Sequence, residues 1–182
     1  MDLERVLREL AGRFREREVR YGLTGGYAVA IHGHPRTTVD LDFLVDRADL
    51  EKIDEILHDM GYEIIHRSEN VSQFSSSKED LGEIDFIHAF REASMKMLDR
   101  AGTEDLFPEG PPIVVLRVED VIGLKIQAIA NAPHRRSQDL ADIQNLVEVH
   151  RESIDWELIQ DYCSLFGMMD VARKLKAGEW QG

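Results

Sequence analysis

Apolar residues recur at helical spacing at the start of the chain and alternate with polar residues further along. From Asp2 to Glu18 the apolar positions lie three or four residues apart, which predicts a helix capped by Asp2. Shorter stretches are alternating or continuously apolar and predict β-strands. These stretches are VRYGL, VDLDFLV, YEIIHR, SQFSSS, GEIDFIHAF and PPIVVLR. Three helical patterns lie between them: YAVAIHG, ADLEKIDEILHDMG and REASMKMLDRAG.

From Val118 onward the strand patterns stop and every periodic segment is helical. The segments are VEDVIGLKIQAIA, SQDLADIQNLVEVH, DWELIQDYCSLF and MMDVARKLKAG. The sequence therefore predicts an α+β fold with a small mixed β-sheet flanked by helices over residues 1–117. A C-terminal helical subdomain over residues 118–182 is expected to pack on this core.

Two aspartates stand out in the strand VDLDFLV, because aspartate is disfavoured in β-strands. Side chains alternate along a strand, so Asp40 and Asp42 share one face. Carboxylates placed in this way can hold Mg²⁺ together with substrate phosphates. Asp85, between two apolar residues of GEIDFIHAF, is a candidate third carboxylate for a two-metal site. The alternative is that the aspartates are simply the solvated face of half-exposed strands.

A Gly-Gly turn, Gly25-Gly26, lies upstream of the aspartate strand and leads into a short helix. Such a turn exposes backbone N–H groups, and its missing side chains let a phosphate come close. By itself Gly-Gly is typical of an ordinary turn. Its spacing from Asp40 is what gives it functional interest.

Net charge and cysteine content exclude several functional classes for this protein. The formal net charge of −13 argues against a broad basic surface for duplex nucleic acid. The single cysteine, Cys163, excludes an internal disulfide framework and a Cys-cluster zinc site, which suits a cytoplasmic location. No apolar run approaches about 18 residues, so no membrane span is expected.

The helix predicted around VEDVIGLKIQAIA has a lysine on its apolar face. Lys125 lies in the middle of a stripe formed by Val118, Val121, Ile122, Ala128 and Ile129. A lysine there must extend to solvent, form an ion pair or face a polar cleft. Glu119 and Asp120 are expected on the opposite face of this helix.

The next helix has a matching aspartate within its own apolar stripe. Asp139 lies in the arc formed by Leu140, Ile143, Leu146 and Val147. The connection between the two helices is short, so they should be antiparallel neighbours and Lys125 can meet Asp139. The pair is either part of a functional site or a structural buried ion pair, and Asp139 can also act as a first-turn helix charge.

The stretch TGGYAVAIHGHPRTTVDLDF resembles the signature of the nucleotidyltransferase superfamily that includes DNA polymerase β. That signature is Gly-Gly or Gly-Ser, a spacer, then Asp-apolar-Asp-apolar, with a third acidic residue on a later strand. More narrowly, the chain resembles the bacterial AbiEii-type nucleotidyltransferase toxins and related small stand-alone members. The Arg-Thr-Thr before the aspartate pair and the later RRSQDLADI carry this closer resemblance, which extends from Tyr21 to Val149.

The resemblance implies an enzyme that transfers an NMP from an NTP to an acceptor hydroxyl and releases pyrophosphate. Mg²⁺ or Mn²⁺ would be held by Asp40, Asp42 and Asp85. Lys125, which would contact the nucleotide phosphates, and Asp139, which would orient the site, would complete the catalytic set. The implied nucleotide-binding residues are Thr24, Gly25, Gly26, Arg36, Thr38 and Lys125.

The resemblance leaves the acceptor open among RNA, protein and small molecules. An alternative keeps the chemistry and makes the protein the toxin of a toxin–antitoxin pair, acting on RNA ends and bound by an antitoxin. A second alternative is a nucleotide-binding module of the same fold without turnover. A structural scaffold would require all of these charged residues to be placed by accident.

Overall fold

The computed structural model describes residues 2–78, 81–131 and 136–179. Eight α-helices occur in these ranges: α1 (Leu3–Glu16), α2 (Gly25–Ile31), α3 (Leu50–Met60), α4 (Glu92–Asp99), α5 (Val118–Asn131), α6 (Arg136–His150), α7 (Trp156–Leu165) and α8 (Met169–Ala177). A short 3-10 helix at Arg47–Asp49 precedes α3. The strands in the same ranges are β1 (Tyr21–Thr24), β2 (Asp40–Asp46), β3 (Glu63–Arg67), β4 (Val71–Ser75), β5 (Glu83–Ala89), β6 (Gly102–Glu104) and β7 (Ile113–Val115). None of the described helices is long and apolar enough to span a bilayer.

The chain divides into two compact units. The first unit comprises Met1–Ala28 and Thr37–Arg117, and the helical unit comprises Val29–Arg36 and Val118–Gly182. The short segment Val29–Arg36 therefore belongs with the C-terminal helices, although it precedes the aspartate strand in the sequence. The prediction had assigned this segment to the core, because it placed the boundary between core and helical subdomain at residue 117.

The strands of the first unit form one mixed sheet in the order β3-β4-β5-β2-β1-β7-β6. The pairs β2–β5 and β1–β7 are parallel and the other neighbours are antiparallel. Helices α1–α4 are interspersed with the strands along the chain, and α5–α8 follow the last strand. This arrangement confirms the predicted α+β fold. The short strand β6 is an addition, because GTE has no apolar alternation by which the sequence could predict it.

One face of the sheet is covered by aromatic side chains. Phe14 of α1 contacts the ring of Tyr21 at 5.0 Å and that of Phe43 at 5.8 Å between centroids. Phe43 and Phe86 are register partners on β2 and β5, and their rings stack at 5.5 Å. Phe74 of β4 meets Phe86 edge-on. These rings are buried, so this face forms the core. On the opposite face, Asp40, Asp42 and Asp85 lie at one end of their strands, and the buried Leu44 lies further along β2.

In the helical unit, α5 is buried on more than one side. Glu119 and Asp120, expected to face away from the core, are only 2% and 0% exposed. Asp120 Oδ1 accepts a hydrogen bond from the Tyr162 hydroxyl at 2.6 Å, and Glu119 Oε1 accepts one from the backbone N–H of Asp155 at 2.9 Å. The expectation was wrong because α5 packs against both α6 and α7, so a single apolar stripe does not describe its environment.

Candidate active site

A row of polar side chains crosses four neighbouring strands on the sheet face opposite the aromatic residues. Asp42 of β2 is the register partner of Thr24 on β1 and of Asp85 on β5. Asp85 in turn is paired with Gln73 on β4. Residues opposite each other in register point to the same face of a sheet. The backbone thus aligns two carboxylates side by side, with a hydroxyl and an amide at the ends of the row.

A second pair of carboxylates lies one step along the same strands. Asp40 is the register partner of Glu83, and each is two residues before Asp42 or Asp85 on its own strand. Glu83 was not identified from the sequence, although the E-I-D spacing of β5 repeats the D-L-D spacing of β2. Like charges directly opposite each other destabilise a sheet. Four carboxylates on one face therefore favour a bound cation at this end of the strands.

Gly25 holds the chain close against one of these carboxylates. Its φ is +62°, and a Cβ built there would lie 1.8 Å from Oδ2 of Asp42. Any side chain would collide with Asp42, so only glycine fits this turn without displacement. The predicted functional turn and the predicted metal strand are therefore in direct contact within the first unit.

Asp40 and Asp85, the two carboxylates next to Asp42, each accept hydrogen bonds from a neighbouring polar side chain. Asp40 Oδ1 accepts from the Thr38 hydroxyl at 2.7 Å. Both oxygens of Asp85 accept from Nε2 of Gln73, at 3.1 and 3.2 Å. Gln73 gave no signal in the sequence, because its role depends on the pairing of β4 with β5.

The chemistry of these residues fits a divalent cation, since Mg²⁺ and Mn²⁺ prefer oxygen ligands. The side chains of Asp40, Asp42 and Asp85 are nevertheless not gathered around one common point. Within residues 2–78, 81–131 and 136–179, no three His, Cys, Asp or Glu side chains are gathered as metal ligands. Binding of a cation by Asp40, Asp42 and Asp85 therefore requires their carboxylates to turn together on the face that the backbone already provides.

A separate cluster of charged side chains is buried in the helical unit. The Lys125 ammonium donates to Oδ1 of Asp139 at 3.1 Å and to Oδ2 of Asp142 at 2.7 Å. The three residues are 8%, 5% and 4% exposed, respectively. Lys125 and Asp139 thus meet, while residues 132–135 of the connection between their helices lie outside the described ranges. Asp142 was missed, although it lies in the RRSQDLADI stretch and three residues after Asp139, on the same side of α6.

Arg36 joins this cluster through Asp142. Its Nη1 donates to Oδ2 of Asp142 at 2.5 Å, and its side chain is 21% exposed. With the Gln138 amide oriented so that its oxygen faces Arg36, that oxygen accepts from Nη2 at 2.8 Å and from Nη1 at 3.2 Å. One carboxylate oxygen therefore binds both cations predicted to contact phosphate.

Comparison with known protein families identifies the class of this protein. A family described as uncharacterised nucleotidyltransferases matches residues 2–174. The chain belongs to this family. It is therefore a nucleotidyltransferase, and enzymes of this fold generally use divalent metal ions. A search of curated proteins finds no matching sequence.

Solved structures with the same fold include further nucleotidyltransferases. The solution structure of the antibiotic-resistance factor ANT(2'')-Ia has a TM-score of 0.67 at 14% identity, covering 99% of this chain and 100% of that one. The lincomycin-bound lincosamide adenylyltransferase LnuA has a TM-score of 0.55 at 21% identity, covering 80% of this chain and 97% of its own. For a protein of Thermotoga maritima described as a nucleotidyltransferase the TM-score is 0.53 at 17% identity, with coverages of 75% and 91%. At these identities the likeness concerns the fold alone.

Proposed function

We propose that this nucleotidyltransferase transfers an NMP from an NTP to an acceptor hydroxyl, using Asp40, Asp42 and Asp85 with Mg²⁺ or Mn²⁺. The observation that carries the proposal is the register of β2 and β5, which sets Asp42 opposite Asp85 with Asp40 on the same face. Divalent cations bound by these carboxylates would stabilise the charge on the attacking and leaving oxygens.

In the proposed reaction the acceptor oxygen attacks the α-phosphorus of the NTP. A new oxygen–phosphorus bond forms, the bond to the oxygen that bridges the α- and β-phosphates breaks, and pyrophosphate leaves. Asp85 accepts the proton of the attacking hydroxyl. Asp85 is the candidate for this role because it lies next to Asp42 and is the outer carboxylate of the row.

The turn between β1 and α2 would leave room for the nucleotide. Gly26 carries no side chain, so the phosphates can approach the backbone there, whereas the space beside Gly25 is taken by the Asp42 carboxylate. Thr24 lies beside Asp42 in the polar row. Thr38 holds Asp40 through its hydroxyl. We assign these residues to nucleotide binding and to orientation of the metal-binding aspartates.

Arg36 is the better candidate than Lys125 for direct phosphate contact. The Lys125 ammonium is held by two carboxylates and its side chain is 10% exposed, whereas that of Arg36 is 21% exposed. A guanidinium also offers five N–H donors suited to phosphate oxygens. We therefore assign Lys125 and Asp139 a supporting role, which combines the two alternatives that the sequence left open.

The test is radiolabel transfer from each of the four NTPs, with Mg²⁺ or Mn²⁺, to a cell extract. Asp40→Ala and Asp42→Ala should abolish transfer while the protein remains folded. Asp46→Ala is the matched control, because Asp46 lies on the same strand and face at its far end. Transfer that persists in either of the first two variants would show the metal assignment to be wrong. Nucleotide binding without transfer to any acceptor would instead support a module without turnover.

The acceptor is a separate question. LnuA is described with lincomycin and ANT(2'')-Ia with adenylyl-2''-tobramycin, so both antibiotics belong among the acceptors to be tried, beside RNA and protein. A toxin role rests on the sequence resemblance to the AbiEii-type proteins. Growth arrest on expression that Asp40→Ala relieves would support that role, and normal growth would count against it.

A further inference from the structure

We propose that Asp142 and Gln138 of α6 are positioning residues that hold one edge of the Arg36 guanidinium, within the helical unit, so that its other edge is available to phosphate oxygens. The inference rests on the proposed function and assigns roles to two residues of the RRSQDLADI stretch that the sequence analysis did not name individually. Both contacts lie within the helical unit, to which Arg36 and α6 belong. Asp142 and Gln138 together hold one edge of the planar Arg36 guanidinium in place.

The donors of Arg36 divide into an occupied and a remaining set. Nη1 donates to Asp142 and to the Gln138 oxygen, and Nη2 donates once to that oxygen. Of the five N–H groups of a guanidinium, Nε–H and one Nη2–H have no partner among the residues that the structure describes. Two N–H groups on one edge match the spacing of two phosphate oxygens. Asp142 and Gln138 thus hold one edge of the Arg36 guanidinium, and its Nε–H and second Nη2–H remain available to a ligand.

The charge balance of the cluster explains why Asp142 in particular carries this role. Asp139 and Asp142 face Lys125 and Arg36, so two buried carboxylates offset two cations. Asp139 contacts only Lys125 among the described cations, whereas Asp142 Oδ2 contacts both. Lys125 holds Asp142 in place through a hydrogen bond of 2.7 Å, and Asp142 transmits that position to Arg36. Loss of Asp142 would leave the guanidinium without its charged anchor.

The experiment is a double-mutant cycle on tripolyphosphate binding, measured by calorimetry with Mg²⁺ on the full-length protein. Arg36→Ala should weaken binding about 10- to 100-fold and Asp142→Asn about tenfold, the range expected for hydrogen bonds to charged groups. In the Arg36→Ala background, Asp142→Asn should have no further effect, because its role acts through the guanidinium. Equal losses in both backgrounds would overturn the inference.

Two further variants separate positioning from stability. Asp139→Asn is the matched control: it removes a neighbouring buried carboxylate that touches Lys125 alone, so it should lower the melting temperature without coupling to Arg36. If Asp142→Asn does not fold, Gln138→Leu removes the second anchor at an exposed position and should weaken binding about threefold, again only when Arg36 is present. No change in this variant would count against the inference.

The outcome does not depend on catalysis. Tripolyphosphate binding can couple Arg36 to Asp142 even if no NMP transfer is detected, in which case the proposed reaction fails and the anchor stands. In the active enzyme, Asp142→Asn should raise the KM for NTP about tenfold with a much smaller change in kcat. Active enzyme with an unchanged KM in Asp142→Asn would refute the anchor and leave the reaction intact.

Discussion

Replacing Gly25 with alanine tests whether the β1–α2 turn confines the Asp42 carboxylate. The added Cβ would lie 1.8 Å from Oδ2 and 2.4 Å from Cγ of Asp42, far inside van der Waals contact. The turn backbone and the Asp42 side chain cannot both keep their positions. We expect Asp42 to be pushed out of the polar row, with loss of both stability and activity.

The expected loss of stability has two parts. A left-handed conformation such as φ +62° costs a non-glycine residue about 1–2 kcal/mol. Overpacking adds about 1–3 kcal/mol. Gly25→Ala should therefore lower the free energy of unfolding by about 2–5 kcal/mol. In a chain of this size each kcal/mol lowers the melting temperature by about 2–4 °C.

Gly167→Ala is the matched control for the conformational part. Gly167 has φ +66°, and a Cβ there would meet nothing within 4 Å. This variant should lose only about 1–2 kcal/mol and keep full transfer activity. The difference between the two variants, measured by thermal and urea unfolding, reports the crowding at Asp42.

Transfer activity gives the second measurement. A displacement of about 1 Å in a catalytic group can reduce the rate by about 10²-fold, and we expect a loss of this order in kcat for Gly25→Ala. If Gly25→Ala costs no more stability than Gly167→Ala and retains transfer, the contact between the turn and Asp42 does not constrain the site.

Changes at three further residues test other contacts. Gln73→Leu should free the Asp85 carboxylate to turn and so strengthen Mn²⁺ binding, measured by calorimetry, with little change in melting temperature. Gln73→Glu should place a second charge beside Asp85 and make the affinity depend on pH. Unchanged affinity in both variants would exclude a role for Gln73. Burial lowers the pKa of His88, whose ring contacts the Glu69 carbonyl and the Ser72 hydroxyl. The unfolded chain therefore binds the proton first, so stability falls as the pH drops below about 6.5, and His88→Gln should flatten this fall in urea unfolding at pH values on either side. Tyr162→Phe removes the 2.6 Å bond to the buried Asp120 carboxylate and should cost about 1.5–3 kcal/mol in thermal unfolding; no loss would show that Asp120 is satisfied without it.

The local pattern was enough to predict the strand that carries the aspartates. Alternation in DLDFLV determines which side chains share a face, so the residue pattern alone places Asp40 and Asp42 together. It does not align Asp42 with Asp85, because the register of two parallel strands depends on packing between distant segments. Gln73 and Glu83 follow from the same register and were missed for the same reason.

In the helical unit, the periodicity of single helices identified Lys125 and Asp139 but missed Asp142. A charged residue within an apolar stripe identified Lys125 and Asp139, and their contact is present. Asp142 lies at the edge of the stripe, where a carboxylate is ordinarily solvated, so periodicity gave no reason to select it. Its burial results from Lys125 and Arg36 approaching from two separate segments, which a single-helix pattern does not contain.

The membership of Val29–Arg36 in the helical unit limits how this protein can be divided or recombined. A chain cut after residue 117 would keep Arg36 and His34 but lose their partners Asp142 and Asn145. It would also lose His150, which donates to the backbone carbonyl of His32. A chimera that exchanges only the C-terminal helices with a relative would pair each of these residues with a foreign surface. Functional exchange between relatives therefore requires two segments, the eight residues of Val29–Arg36 and the C-terminal helices, to be inherited together.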